Sequence, residues 1–202
     1  MAKKLLIGIV VFVALLGIIG VFMFGGRYNK MVEMEEGVNT AWSQVETQYQ
    51  RRYDLIDNLL YIAEQSGELE KEILTGVIEA RAKATSIEID ANNLTEANMA
   101  QFQEAQSQLS GSLSRLMLTM ERYPNVQAVA GYRDVMNSLE GTENRIAVAR
   151  TRYNEDVGAY NTYLRGFLNR IVSNFYGFEP KARFEAEQGS EQGLRLRDNA
   201  QQ

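Results

Sequence analysis

Residues 5–24, LLIGIVVFVALLGIIGVFMF, run for twenty positions without a charged or polar side chain. As a helix rising about 1.5 Å per residue, such a stretch covers roughly 30 Å, the thickness of a bilayer's hydrocarbon core, and a transmembrane helix is expected here. Lys3 and Lys4 in front of it would also suit a cleavable secretion signal. The apolar run is longer than such signals carry, and bulky Met23 or Phe24 stands three residues ahead of cleavage points near Gly25 and Gly26, so an uncleaved anchor is the preferred reading. No cysteine follows for lipid attachment. Lys3, Lys4 and the α-amino group precede the run and Arg27 and Lys30 follow it. That excess of one charge predicts an N-terminus in the cytoplasm and the remaining chain outside it.

Behind the anchor remain about 175 residues, enough for one domain with its own core. Of the 21 Lys and Arg, two flank the anchor, leaving 19 against 26 Asp and Glu, so the electrostatic footprint of a nucleic-acid binder is missing. With two prolines, Pro124 and Pro180, and abundant Ala, Glu, Gln, Leu and Arg, the chain is expected to be all-α. It contains no His and no Cys. Disulfides, thiol catalysis, Ser-His triads, Cys or His zinc sites and Glu-x-x-His di-iron sites are therefore unavailable within it.

Val38, Trp42, Val45, Tyr49, Ile56, Leu59 and Ala63 recur at alternating three- and four-residue steps, the a/d spacing of a coiled-coil or bundle helix, and predict a first helix over 28–65. The step between Tyr49 and Ile56 falls on Arg52, which puts an arginine in the seam. Ser66-Gly67 marks a stop or kink. Leu69, Ile73, Val77, Ala80, Ala84 and Ile87 predict a second helix ending before the turn formers at 90–93. Thr95 is the expected N-cap of a third helix, carried by Phe102, Ala105, Leu109, Leu113, Leu116 and Met120 and ended at Tyr123-Pro124. A fourth, over 126–175, has one heptad line of Leu139, Ile146, Tyr153, Tyr160 and Phe167. Its companion line holds Met136, Glu143, Arg150, Val157, Leu164 and Ile171. Phe178-Glu179-Pro180 cannot continue a helix.

The expected architecture is a transmembrane helix within 1–27, an elongated antiparallel up-down four-helix bundle over 28–182, and a polar tail over 183–202 expected to be disordered. An even number of helices brings the end of the fourth back to where the first leaves the membrane. Phe175, Tyr176, Phe178, Lys181, Arg183 and Phe184, aromatics mixed with cations, are then expected at the lipid headgroups.

Tyr28-Asn29, Ala41-Trp42, the run from Gln50 to Ile56, and Glu79-Ala80-Arg81-Ala82-Lys83-Ala84 occur in an order met elsewhere. They are followed by Glu143-Asn144-Arg145-Ile146-Ala147-Val148-Ala149-Arg150, Arg152-Tyr153-Asn154, Tyr160-Asn161 and Phe175-Tyr176-Gly177-Phe178. In this ordered set the chain resembles the LemA family over nearly its whole length. The resemblance implies a bacterial membrane-associated or cell-envelope protein with one N-terminal anchor, a helical bundle and no established catalysis, in a family linked to membrane proteases. The chain departs from the family pattern at Asp57 and Leu168, where proline is usual, and at Gly67-Glu68, where His-Glu is common.

Arg52, Glu143 and Arg150 interrupt otherwise apolar seams. A buried arginine without a partner is very costly, so either the three meet or the seam opens to water. A layer that sets helix register is the plainer reading, and a site for a ligand or a partner's anion is the sharper one. Tyr153 and Tyr160 read as core residues whose hydroxyls reach the bundle edge, while Asn154 and Asn161 on one face could bond across to a neighbouring helix or subunit. Glu64, Glu68 and Glu72 form a solvated acidic face, or less plainly a carboxylate cation site. No phosphate loop, nucleophile elbow or dinucleotide fingerprint occurs, and neither cofactor nor metal is expected.

The reading these features favour is a non-enzymatic, single-pass membrane scaffold. It would self-associate into homo-oligomers and organise or shape the bacterial plasma membrane or its protein neighbours. The alternative is an accessory factor for a membrane protease or envelope quality-control system, for which the family resemblance alone speaks. The expected partners are the lipid bilayer, further copies of the chain and such an envelope protein.

Overall fold

One helix, α1 (Ala2–Ser66), runs unbroken from the start of the apolar stretch to the far end of the domain. The computed structural model describes residues 2–67 and 69–185, and in the first 23 residues the backbone with the side chains of 6–8, 10, 12 and 15 only. After α1 come α2 (Lys71–Thr85), a 3₁₀ turn (Ala91–Asn93), α3 (Glu96–Met120), α4 (Pro124–Ala128), α5 (Tyr132–Leu164) and α6 (Phe167–Tyr176). Every regular element among the described residues is helical and none is a strand, as the composition predicts. None of their helices is long and apolar enough to cross a membrane. The anchor expected at residues 5–24 falls mostly on side chains outside that description.

The three- and four-residue steps appear directly as burial. On α1 the buried positions include Val38, Trp42, Val45, Tyr49, Arg52, Ile56, Leu59 and Ala63, and on α3 Phe102, Leu109, Leu113, Leu116 and Met120. Ion pairs and hydrogen bonds give the directions. Arg52 meets Glu143, and Tyr160 meets Glu35, so α5 runs antiparallel to α1. Arg81 reaches Asp57, and Lys83 reaches Gln108, so α2 opposes both α1 and α3. Trp42 lies against Phe102, and Arg52 against Ser110, so α3 runs parallel to α1. The turns follow local chemistry. Gly67, at φ +64°, takes the left-handed conformation that ends α1, and the Thr95 side chain accepts from the Asn98 N–H at 3.2 Å to cap α3.

Two expectations about the fourth helix are corrected. The segment 126–175 is not one helix: Gly131, at φ +88°, separates α4 from α5, and the chain breaks again between α5 and α6. At that second break the Asn169 side-chain amide donates to the Tyr163 carbonyl at 2.8 Å, and a Cβ on Gly166 would stand 2.9 Å from the same amide nitrogen. The side chain of Asn169 thus supplies a partner at the end of α5 that a continuing helix would have supplied.

The companion seam line is also shifted by one residue. Thr142 and Ala149 are buried where Glu143 and Arg150 were expected, and the line rejoins the prediction at Val157 after two successive four-residue steps through Tyr153. A straight helix turns once in 3.6 residues, so a strict heptad drifts, and an extra four-step resets it. The small Thr142 and Ala149 face the core, and the charged pair lies one position round the helix.

Candidate functional site

Arg52 is 3% exposed on the part of α1 that lies within the bundle. Its Nε lies 3.1 Å from Glu143 Oε1 as an ion pair without an aligned hydrogen bond, and its Nη2 donates to Ser110 Oγ at 2.6 Å. Ser110 in turn donates to the Gln106 carbonyl at 2.9 Å. Glu143 is 46% exposed, so the layer joins α1, α3 and α5 with its acidic end in water. Arg150 stands apart from it, correcting the three-residue layer. Its Nη2 donates to the Glu185 carbonyl at 3.1 Å and its guanidinium lies 4.8 Å from the ring centre of Phe184.

Those two contacts belong to the arrangement the sequence reading missed. Beyond Gly177 the chain runs non-helically along α5 as a strap over residues 178–185, held by side-chain amides. Asn161 donates to the Lys181 carbonyl at 2.8 Å and accepts from the Lys181 N–H at 3.0 Å. Asn154 does the same with Phe184, donating at 3.0 Å and accepting at 2.9 Å. The spacing explains the match. Seven helical residues advance about 10.5 Å and three extended residues about 10 Å, so two asparagines one heptad apart meet every third residue of an extended segment. Each amide presents one donor and one acceptor, as the edge of a strand does.

The strap is sewn in from the other side as well. The Ala182 N–H donates to the Leu94 carbonyl at 2.8 Å, and the Glu185 N–H to Gln103 Oε1 at 3.0 Å. The Tyr153 hydroxyl donates to the Ala182 carbonyl at 2.7 Å. Buried Lys181 places its Nζ 2.9 Å from both Glu35 Oε1 and the Asn92 carbonyl oxygen, so its charge is compensated inside the fold. Phe184 is buried against Trp42, Phe102 and Tyr153, with ring centres 5.4–6.4 Å apart. Burial pushes the phenols of Tyr153 and Tyr160 well above their ordinary value, and for Tyr160 the nearby Glu35 carboxylate adds to the rise.

The expected membrane-facing set therefore divides. Lys181 and Phe184 are core residues, because their backbones are clamped and their side chains find a counter-charge and an aromatic nest. Arg183 lies over Gly158, where a Cβ would collide with its guanidinium. Of the expected tail, residues 183–185 belong to the strap, and residues 186–202 lie outside the described residues. Phe175 and Tyr176 are exposed, and Tyr176 and Phe178 pack on Tyr28 with ring centres 4.7 and 5.6 Å away. Asn154 and Asn161 bond within the chain, to the strap. Of the acidic face, Glu64 and Glu72 are exposed and Glu68 lies outside the described residues. Among the described residues no group of three or more metal-ligating side chains gathers.

The signal that could have found the strap was the asparagine heptad itself, read together with Lys181 and Phe184 three residues apart. Nothing in this arrangement resembles a nucleophile with its base. It is a polar layer and a clamped extended segment around one tryptophan.

Compared with known proteins, residues 41–195 match the sequence model of the LemA family. That range takes in the Arg52 layer, both clamping asparagines and the strap. Magnetosome protein MamQ 2 of Paramagnetospirillum magneticum is 26% identical over 178 residues, covering 79% of this chain and 65% of that protein. Magnetosome protein MamQ of Magnetospirillum gryphiswaldense is 27% identical over 172 residues, covering 76% and 62%. Protein LemA of Metamycoplasma hominis is 21% identical over 165 residues, covering 82% and 72%. The chain thus spans just under two thirds of the length of the magnetosome relatives it matches.

Proposed function

Since the chain belongs to the LemA family, we propose that it is a non-enzymatic scaffold, anchored in the bacterial plasma membrane by the N-terminal part of α1, that self-associates and organises the membrane or its protein neighbours. The observation that carries the reading is the state of α1 ahead of the bundle. Among the described side chains of α1 the first buried one is Met31, and ahead of it Leu6, Ile7, Val10, Phe12 and Leu15 are each more than half exposed. At 100° per residue these five positions fall on all sides of the helix, whereas a helix lying on a protein core carries one apolar stripe. A helix apolar all round is at home in hydrocarbon, and residues 5–24 supply the length. None of the relatives' names states a reaction, and the polar groups of the bundle are used in holding it together. Exposed Tyr61, Leu118 and Val148 on its flanks are the surface that self-association would use.

The test uses the full-length chain in its own lipids. It is expected to stay with the membrane through alkaline carbonate extraction and to give homo-crosslinks there. Because the chain has no cysteine, single cysteines placed in the bundle would report its side of the membrane, and labelling from outside the cytoplasm is expected. Release by carbonate, a monomer in native membranes, or crosslinks only to a different envelope protein such as a protease would overturn the scaffold reading.

A further inference from the structure

Helix α6 carries an apolar face that none of the described residues covers. Phe167 and Phe175 are 83% and 80% exposed, and Leu168 and Ile171 between them are exposed as well. At 100° per residue the four fall within one 100° arc, while Val172 and Ser173 on the other side are buried. The one charged residue of α6 is Arg170, and Arg165 precedes the helix.

Its position follows from the register of α1 and α5. With Glu143 level with Arg52 and Tyr160 with Glu35, the end of α5 at Leu164 stands level with Met31. Twelve residues later Tyr176 packs against Tyr28. Helix α6 is about 15 Å long, yet between Met31 and Tyr28 the level changes by only about 4.5 Å, so α6 lies mostly across α1. It crosses where α1 leaves the bundle, ahead of which the described apolar side chains of α1 are exposed.

We propose that α6 is an interfacial membrane helix, lying in the headgroup layer with Phe167, Leu168, Ile171 and Phe175 directed into the acyl boundary. This rests on the anchored reading of α1. The occupant is a lipid surface because the face continues the unpartnered apolar surface of α1. Its charges are also cationic in a chain that is net negative, and its aromatics and cations are the residue types an interface selects. A second copy of the chain fits less well. Two phenylalanines offering about 150–200 Å² each, with parts of a leucine and an isoleucine, fall short of the roughly 800 Å² per partner of a stable dimer.

The test places single cysteines by Phe167→Cys and Phe175→Cys in the full-length chain and labels them with an environment-sensitive fluorophore. The labelled chains go into vesicles of phosphatidylethanolamine and phosphatidylglycerol containing headgroup-region nitroxide lipids. Leu118→Cys, exposed toward the far end of α3, is the reference. The expected result is about a twofold or greater loss of fluorescence at 167 and 175 and none at 118. Vesicle flotation separates the two readings. A chain that floats with vesicles but leaves 167 and 175 as unquenched as 118 overturns the interfacial helix and leaves the anchor standing. A chain that does not float overturns the anchor. Probes shielded from water, unquenched by lipid and crosslinking to another copy would assign the face to self-association and overturn the lipid assignment.

Discussion

The Arg52 layer gives the sharpest prediction, because its two ends sit in different surroundings. Arg52 is 3% exposed and Glu143 46% exposed, with 3.1 Å between the charged atoms. At that separation Coulomb attraction is about 5 kcal/mol for an effective dielectric constant near 20 and about 1 kcal/mol in water, and the half-exposed carboxylate places the pair between these limits. Glu143→Ala leaves a buried guanidinium with Ser110 as its remaining neutral partner, and a destabilisation of about 2 kcal/mol is expected. Arg52→Met removes the buried charge, keeps the volume in the seam and frees Glu143 to be hydrated, so its cost should stay within about 1 kcal/mol. Ser110 keeps its bond to the Gln106 carbonyl in that variant. The double variant should therefore be no less stable than Arg52→Met alone, giving a coupling of about 2 kcal/mol in a double-mutant cycle. Trp42, the sole tryptophan, is 1% exposed in the bundle core, so its fluorescence during urea unfolding of the full-length chain in mild detergent reports the bundle rather than α1. Additive costs, or a Glu143→Ala variant as stable as the parent, would refute the argument that Arg52 depends on its partner. A stable Arg52→Met chain that has lost cellular function would move the layer from register-setting to partner recognition.

Two further outcomes test the strap and the aromatic core. Asn154→Ala and Asn161→Ala each delete two hydrogen bonds worth about 1 kcal/mol apiece, and are expected to speed hydrogen exchange at the Phe184 and Lys181 amides respectively, while α1 and α3 stay protected; unchanged exchange at those amides would show that the side-chain clamps do not hold the strap. Burial raises the folded-state phenol pKa of Tyr153 and Tyr160 above the ordinary 10.0, so the stability tied to their protonated forms is fully present below pH 10 and is lost as pH rises from there toward the folded values. Tyrosinate absorbance at these two residues should accordingly appear together with the loss of buried Trp42 fluorescence, and titration of every tyrosine near pH 10 in a chain that stays folded would contradict the burial argument.

Helices α2 and α3 and the bundle part of α1 were legible in the sequence because each repeats its apolar side chains at one period, and Arg52 could be placed in the seam from that period alone. Arg150 was misplaced for a related reason: a strict heptad cannot see where a real helix inserts an extra four-step, here between Tyr153 and Val157. The break before α6 was obscured because Phe167 and Ile171 continue the heptad lines of α5. The decisive signal there, Asn169 reaching back to the Tyr163 carbonyl, is a single polar contact with no period. The strap was the largest loss. Phe178, Lys181, Arg183 and Phe184 have the composition of a membrane interface, and composition does not distinguish an aromatic bound for lipid from one bound for a tryptophan in the core.

The division between those two destinations bears on how an anchored stalk would be held. Gly25 and Gly26 lie on α1 just ahead of Tyr28, and each weakens the helix by about 1 kcal/mol relative to alanine. Were α1 alone to set the angle between bundle and membrane, this pair would act as a hinge at the exit from the bilayer. The structure braces the bundle side of that point: Tyr28 is packed by Tyr176 and Phe178, which bracket Gly177 at the end of α6. From Phe178 the strap runs on to Lys181, whose Nζ reaches Glu35 of α1, and to Phe184 beside Trp42. Two asparagines clamp its backbone to α5 on the way. On the anchored reading, α6 is thus tied to α1 at its membrane-proximal end and, through the strap, to the centre of the bundle. The core residues of the strap then have a mechanical consequence, since a tilt that lifts α6 from the surface would pull on Lys181 and Phe184, buried groups whose exposure costs the most.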